Sequence, residues 1–290
     1  MTRIIDYFHL VRFAHTIFAM PFALIGFTYA AYVSGADAYS LGQWAVLLVQ
    51  VLLCMVFARN TAMGFNRWAD RRIDSENPRT ASREIPAGKI SPRKALAFVI
   101  VNAVLFVATA ATINKLTAWL SPVALFVITF YSYCKRFTSL AHLVLGLSLG
   151  IAPVGAYIAV TGQFALEPCI LALLVMTWCG GFDTIYALQD ADFDRQRGLH
   201  SIPSKFTAKT ALVISIGLHV VSVAALTWFV TYLPQHWFLW IGCAVFVGLL
   251  LLEHILVTPS RQKNIGIAFG TLNGLASLTL AVFVIADLLI

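Results

Sequence analysis

Two stretches of the chain place acids at helical spacing beside long apolar runs. The first reads Asn66-x-x-x-Asp70-x-x-x-Asp74 and closes a run that begins near Trp44. At about 100° per residue, Arg59, Asn66, Asp70 and Asp74 fall within roughly 80° of arc on a helix. The second stretch, Asp183-Thr-Ile-Tyr186-Ala-Leu-Gln-Asp190-Ala-Asp192-Phe-Asp194, closes the run over 168–189. Asp183, Asp190 and Asp194 share one face within about 40°, whereas Asp192 points elsewhere and reads as solvated. Asp70 to Asp190 is 120 residues, and Asp74 to Asp194 is again 120, which points to a duplicated multi-helix unit. Paired carboxylates repel unless a cation lies between them, so each pair invites a divalent ion. Polar groups within an apolar span are expensive and mark a protein interior or a watery cavity.

The surrounding charges narrow the chemistry. Lys135, Arg136, Arg71, Arg79, Arg83 and Lys205 lie near the same span ends. Acids and bases gathered at one mouth suit a metal-bridged polyanion. Mg²⁺ takes one or two carboxylates plus substrate phosphates, and basic side chains complete the cradle. Lys135 stands out because Tyr131 precedes it by one helical turn. A diphosphate site at the end of membrane spans fits a substrate with a polar head and a hydrocarbon tail. Each buried CH₂ contributes about 0.8 kcal/mol, so a polyprenyl tail stays in lipid while its diphosphate sits at the interface.

The elements that must position these residues are membrane helices. Of 290 residues, 60% are hydrophobic and 11% charged, against about 25% charged in soluble domains. The mean hydropathy is +0.83. At about 20 apolar residues per span, nine candidates appear: 16–34, 43–69, 95–113, 117–134, 140–160, 168–189, 208–232, 236–257 and 265–288. Residues 1–16 read as an interfacial helix carrying Arg3, Arg12 and His15, without a signal-peptide cleavage site. With the N-terminus cytoplasmic, 17 of the 20 Lys and Arg face the cytoplasm; Arg59 and Arg67 lie within the second span and Lys115 faces outside. The net charge of +7 is thus an orientation signal, and no nucleic-acid-binding motif accompanies it. The five cysteines form no CxxC pair and read as small core residues. His142, His219 and His254 read as helix-end or packed residues. Both acid motifs open long cytoplasmic loops, 75–92 and 195–207, and Glu253 ends a span on the same face. The expected fold is all-α: one domain over 1–290, with nine transmembrane helices around a central cavity opening to the cytoplasmic side.

These residues resemble the UbiA superfamily of intramembrane prenyltransferases, and the likeness covers the whole chain. Asp183-Thr-x-Tyr186-Ala187-x-x-Asp190-x-x-x-Asp194 looks like the second motif of the 4-hydroxybenzoate polyprenyltransferase branch. Asn66-Arg67-x-x-Asp70-x-x-x-Asp74, followed by Asn77-Pro78-Arg79-Thr80-Ala81, looks like the first. The resemblance implies that Asn66, Asp70, Asp74, Asp190 and Asp194 hold Mg²⁺ and the diphosphate. It implies that Tyr131 and Lys135 stand near the leaving group. Ser132 replaces a frequent proline, and Arg136 stands where several members carry an aspartate thought to take the ring proton.

The implied activity is Mg²⁺-dependent transfer of a polyprenyl group from an allylic diphosphate to the ring of an aromatic acid in quinone synthesis, at the inner (cytoplasmic) membrane. The opening phrase from Leu10 to Ala23 looks closer to a subgroup linked to futalosine-route menaquinone synthesis than to ubiquinone synthesis. The acceptor stays open between 4-hydroxybenzoate and a hydroxynaphthoate, and Arg59 is the candidate for its carboxylate. The rival from another class is a secondary transporter with intramembrane carboxylates. Transporter sites, however, lie near the midplane, and these acids cluster at one mouth.

Overall fold

The computed structural model describes residues 4–11 and 18–290. Their regular structure is helical apart from one isolated bridge between Thr258 and Arg261. In chain order the helices are α1 (Ile4–Leu10), α2 (Met20–Ser34), α3 (Leu41–Ala69), α4 (Arg71–Glu76), α5 (Pro92–Ile113), α6 (Lys115–Cys134) and α7 (Ala141–Thr161). They continue with α8 (Leu166–Tyr186), α9 (Ala191–Gln196), α10 (Ile202–Lys205), α11 (Ala208–Val230), α12 (Trp237–Leu256), α13 (Ile265–Ile267) and α14 (Asn273–Leu289).

Local chemistry sets the ends. Ser40 and Gln43 form a capping box at the start of α3, as Asn114 and Thr117 do for α6. Ser91 caps α5 with Pro92 at its first position, where a missing N–H costs nothing. Gly162 closes α7 at φ 67°, a conformation glycine adopts without strain.

Eight helical stretches among the described residues are long and apolar enough to cross a bilayer: α3, α5, α6, α7, 166–196, α11, α12 and 265–289. The expected first span, 16–34, differs. Its helix begins at Met20 and runs for 15 residues, about 22 Å, shorter than a hydrocarbon core of about 30 Å. Within the expected interfacial helix over 1–16, Ile4–Leu10 form α1; Arg3, Arg12 and His15 lie outside the described residues. The expected loop 195–207 contains the helical turn α10.

The bundle turns one side to lipid and the other inward. Val46, Ile100, Phe126, Val220 and Leu251 are exposed, whereas Trp178, Phe22, Phe182, Leu174 and Phe246 form one buried core. Small residues bring the inner helices close. A Cβ on Gly150 would lie 2.8 Å from the Ala172 carbonyl oxygen, and one on Gly146 would collide with that of Met176, so α7 and α8 meet backbone to backbone. Gly26 of α2 meets Pro153 of α7 in the same way. This rigid contact presents Asp183 of α8 toward the ends of α3 and α6.

Candidate active site

The two acid motifs do not lie on unbroken helices. α3 ends at Asp70, with φ −92° and ψ 4°, before α4 resumes. α8 passes through a 3₁₀ turn, Ala187–Asp190, and Asp190 has φ −108° and ψ 4° before α9. The break recurs at positions 120 residues apart. The continuous stripe expected from 100° spacing is therefore interrupted in both motifs, yet their acids converge. Asn66, Asp70 and Asp74 share one cavity of about 260 Å³ with Asp183, Asp190 and Asp194.

Arginine and lysine cross-link the acids. Arg79, from the 75–92 loop, reaches across to Asp190: its Nε donates to Oδ1 at 2.8 Å and its Nη2 pairs with Oδ2. Its Nη1 donates to the Tyr186 hydroxyl at 2.9 Å, and Asn77 Nδ2 adds a bond to Asp190 Oδ1 at 3.0 Å. Arg83 Nη1 donates to Asp74 Oδ1 at 2.6 Å. Arg136 Nη2 meets Asp70 Oδ1 at 3.2 Å, and Asn66 Nδ2 donates to Asp70 Oδ2 at 3.0 Å. Lys135 Nζ lies 3.6 Å from Asp194 Oδ2. Arg197 and Glu76 pair at 2.9 Å, tying α4 to the end of α9.

Field effects follow from this crowding. Burial pushes the Asp70 carboxyl up, reinforced by Asp74 and opposed by Arg136 and Lys135. Burial pulls the Lys135 ammonium down, but Asp194, Asp183, Asp190 and Asp70 outweigh it and hold it above its ordinary value. Burial likewise opposes the Arg79 charge, and its bonds to Asp190 and Tyr186 more than restore it.

Tyr131 and Arg59 stand deeper. They line both the polar cavity and an adjoining apolar one of about 470 Å³ between α3, α5, α6, α7 and α8. Val51, Met55, Phe106, Leu120 and Ile151 line that second space. Arg59 Nη2 also donates to the Val11 carbonyl at 3.4 Å.

Some expected residues lie elsewhere. Arg71 does not line the cavity: its Nη1 donates to the Trp68 carbonyl at 2.5 Å and its guanidinium sits 4.7 Å over the Trp68 ring. Arg71 opens α4 just past the break at Asp70, and its side chain turns back onto Trp68 of α3. Lys205 is exposed and lies over Phe206. Glu253 is fully buried against Asn273, away from the cavity. Asp192 is solvated as expected and pairs with Arg195. Sequence reasoning named Arg67, Asn77, Thr80 and His142 but gave them no role in the site, and it passed over the ring wall of Phe18, Phe182 and Phe269. A second arginine inside an apolar span, Arg67 carried the same signal as Arg59. The phenylalanines carry no signal in a chain with 21 of them.

The donor set suits a hard cation. Asp74 Oδ2 and Asp194 Oδ2 are buried with no hydrogen-bond partner among the described residues. Among those residues no three acids, histidines or cysteines are grouped tightly enough to hold an ion alone.

A family model described as the UbiA prenyltransferase family matches residues 19–281. The chain belongs to the UbiA prenyltransferase family. The resemblance read from its aspartate motifs is borne out, and so is the enzyme class it implied, a prenyltransferase. Among relatives of this UbiA-family chain, the 4-hydroxybenzoate octaprenyltransferase of Aliivibrio fischeri (strain MJ11) is 36% identical over 189 residues, covering 65% of either chain. That of Serratia proteamaculans (strain 568) is 31% identical over 224 residues, covering 76% of this chain and 75% of the relative. The apo structure of a UbiA homolog from Aeropyrum pernix K1 superposes with a TM-score of 0.78 at 30% identity, over 95% of this chain and 97% of that one. A UbiA homolog from Archaeoglobus fulgidus bound to GPP and Mg²⁺ shares the fold, with a TM-score of 0.69 at 19% identity over 94% and 99% of the chains. The family match leaves the transporter reading without support.

Proposed function

We propose that this UbiA-family chain transfers a polyprenyl group from an allylic prenyl diphosphate to the ring of an aromatic acid, 4-hydroxybenzoate or a hydroxynaphthoate, in quinone biosynthesis. The observation that carries this reading is that both acid motifs line one polar cavity, which shares Arg59, Met63, Tyr131, Leu145 and Leu149 with an apolar one. The names of the curated relatives support the acceptor class. The Lys- and Arg-rich loops support a polar mouth at the cytoplasmic face of the inner membrane, with the N-terminus inside.

The cavity's charge is nearly balanced: Asp70, Asp74, Asp183, Asp190 and Asp194 face Arg59, Arg67, Arg79, Arg83, Lys135 and Arg136. A diphosphate brings several negative charges, so it needs cations beyond those already paired. Mg²⁺ held by Asn66, Asp70, Asp74, Asp190 and Asp194 would supply that charge and stabilise the leaving diphosphate. Arg79, Arg83, Lys135 and Arg136 then turn from the acids to phosphate oxygens, where their positive charge favours scission of the C–O bond. The apolar cavity takes the tail. Tyr131, Tyr186 and the rings of Phe18, Phe182 and Phe269 face the allylic cation, each ring stabilising it by roughly 0.5–2 kcal/mol. Arg59, at the junction of the two spaces, receives the acceptor carboxylate. The 75–92 loop, which carries Arg79 and Arg83 to the mouth of the cavity, closes over the bound diphosphate and keeps water from the cation.

The test is incubation of membranes containing the protein with a prenyl diphosphate and ring-labelled 4-hydroxybenzoate or hydroxynaphthoate. A lipid-soluble labelled product is expected with one of them. Chelation by EDTA should stop its formation and added Mg²⁺ restore it. No product with either acid overturns the aromatic acceptor, and indifference to EDTA overturns the metal.

A further inference from the structure

Asp183 differs from the other acids of the cavity. Asp70, Asp74, Asp190 and Asp194 each lie within 4.0 Å of an arginine or lysine nitrogen. Among the described residues, Asp183 meets no such cation; its partner is His142, at 2.7 Å between Nδ1 and Oδ2.

The bonds around His142 fix its tautomer. The ring is fully buried at the start of α7. Its Nε2 lies 3.2 Å from the backbone nitrogen of Ile202. An amide N–H can only donate, so Nε2 is the bare acceptor and the ring proton sits on Nδ1, where it donates to Asp183. One carboxylate oxygen is thus held by a neutral donor. Asp183 still lines the cavity, with its side chain 18% exposed. A carboxylate bonded to a neutral imidazole, and to no guanidinium, keeps lone pairs free to accept a proton from a substrate in the cavity.

Depth also suits Asp183. It precedes Asp190 by seven residues, about 10 Å along a helix, which sets it below the diphosphate end. Tyr131 and Lys135 line the same space. The residue after Lys135 is Arg136, bound to Asp70, so that position offers no base.

We propose that Asp183 accepts the proton lost by the acceptor ring, and that His142 is the positioning residue that holds Asp183 for this step. The proposal rests on the prenyl-transfer reading above. In the step, the prenyl C1–O bond breaks and its electron pair leaves with the diphosphate. A ring carbon of the acceptor bonds to C1. The hydrogen on that carbon then passes as a proton to Asp183, and the C–H pair restores the aromatic ring. The proton leaves with the released diphosphate.

A second set of bonds ties the device to the cytoplasmic loop. Leu199 N donates to the Asp194 carbonyl at 2.8 Å, and His200 N to the Lys135 carbonyl at 2.6 Å. With the Ile202–His142 bond, the segment 199–202 holds Asp194, Lys135 and, through His142, Asp183 in one frame.

The test compares three variants in membranes, using the acceptor that the parent prenylates, unlabelled or carrying deuterium at the ring carbon that is prenylated. Asp183→Asn keeps the shape but cannot take a proton; transfer should fall by about 10²-fold or more, the scale of general-base catalysis. His142→Asn places an amide donor where Nδ1 was, whereas His142→Gln places its amide near Nε2. His142→Gln should lower kcat by roughly tenfold to a hundredfold with an unchanged KM for the prenyl diphosphate, while His142→Asn stays within a few-fold of the parent. The deuterium isotope effect on kcat should rise in Asp183→Asn and His142→Gln above that of the parent. Equal losses in both His142 variants, or isotope effects that match the parent's, overturn the assignment. If His142→Gln does not accumulate as folded protein, the isosteric Asp183→Asn and its isotope effect decide alone. A parent that prenylates no aromatic acid defeats the underlying reading; a competent parent with isotope-insensitive variants defeats this inference alone.

Discussion

Arg79 is the side chain whose removal separates the two halves of the site. Its guanidinium bonds Asp190 through two nitrogens and Tyr186 through the third, and it lies 5.3 Å over the Tyr186 ring. The side chain is 28% exposed and that of Asp190 is 9% exposed, so the pair is poorly screened by water. When the diphosphate enters, this fork turns from one anion to another. Hydrogen bonds to charged groups contribute about 1.5–3 kcal/mol each, and turning the fork forfeits the Asp190 bonds, so the net loss on truncation is set at about 3 kcal/mol. At about 1.4 kcal/mol per factor of ten, Arg79→Ala should raise the KM for the prenyl diphosphate about a hundredfold. Arg79→Lys keeps the charge but not the bidentate fork, and should leave the donor KM raised only about tenfold. The acceptor KM should not move, since Arg79 sits at the diphosphate end. The assay varies prenyl diphosphate at saturating labelled acid in membranes, with folded protein measured in parallel. An unchanged donor KM in Arg79→Ala, or an equal rise in both KM values, would refute the idea that the acid-paired arginines are the phosphate ligands.

Asp70→Ala and Asp190→Ala should each abolish transfer while leaving folded protein in the membrane; full activity in either removes that acid from the site. Arg59→Ala should raise the acceptor KM more than the donor KM, as steady-state kinetics with both substrates would reveal. The reverse pattern would move Arg59 to the diphosphate. Gly146→Ala drives a methyl group into the Met176 carbonyl at the α7–α8 contact. Overpacking of this kind costs about 1–3 kcal/mol, so thermal unfolding in detergent should shift down by several degrees. An unshifted transition would show that the two helices are free to part.

The apolar runs, their lengths and the asymmetry of Lys and Arg determined from sequence that this is a multi-span membrane protein with both acid motifs at one end. That much follows from the bilayer itself, which demands about 20 apolar residues per span and rewards basic loops on one side. The acids and Tyr131, Lys135, Arg79, Arg83 and Arg136 were legible too, because polar residues in or beside a span stand out against a greasy background. Tertiary structure alone decided which of them work together. Arg71 and Arg79 are both arginines after the same motif, yet one stacks on Trp68 and the other grips Asp190 111 residues away. That choice depends on a helix break at Asp70 and on how the following loop folds back, neither of which periodicity encodes. His142 shows the same limit more sharply: as a lone histidine at the start of a span it has no pattern, and its meaning arises from Asp183, 41 residues away, and from one backbone N–H at Ile202. Spacing along a helix reports which side chains share a face. Which faces meet is set by close packing between helices, here through glycines that let α7 and α8 touch.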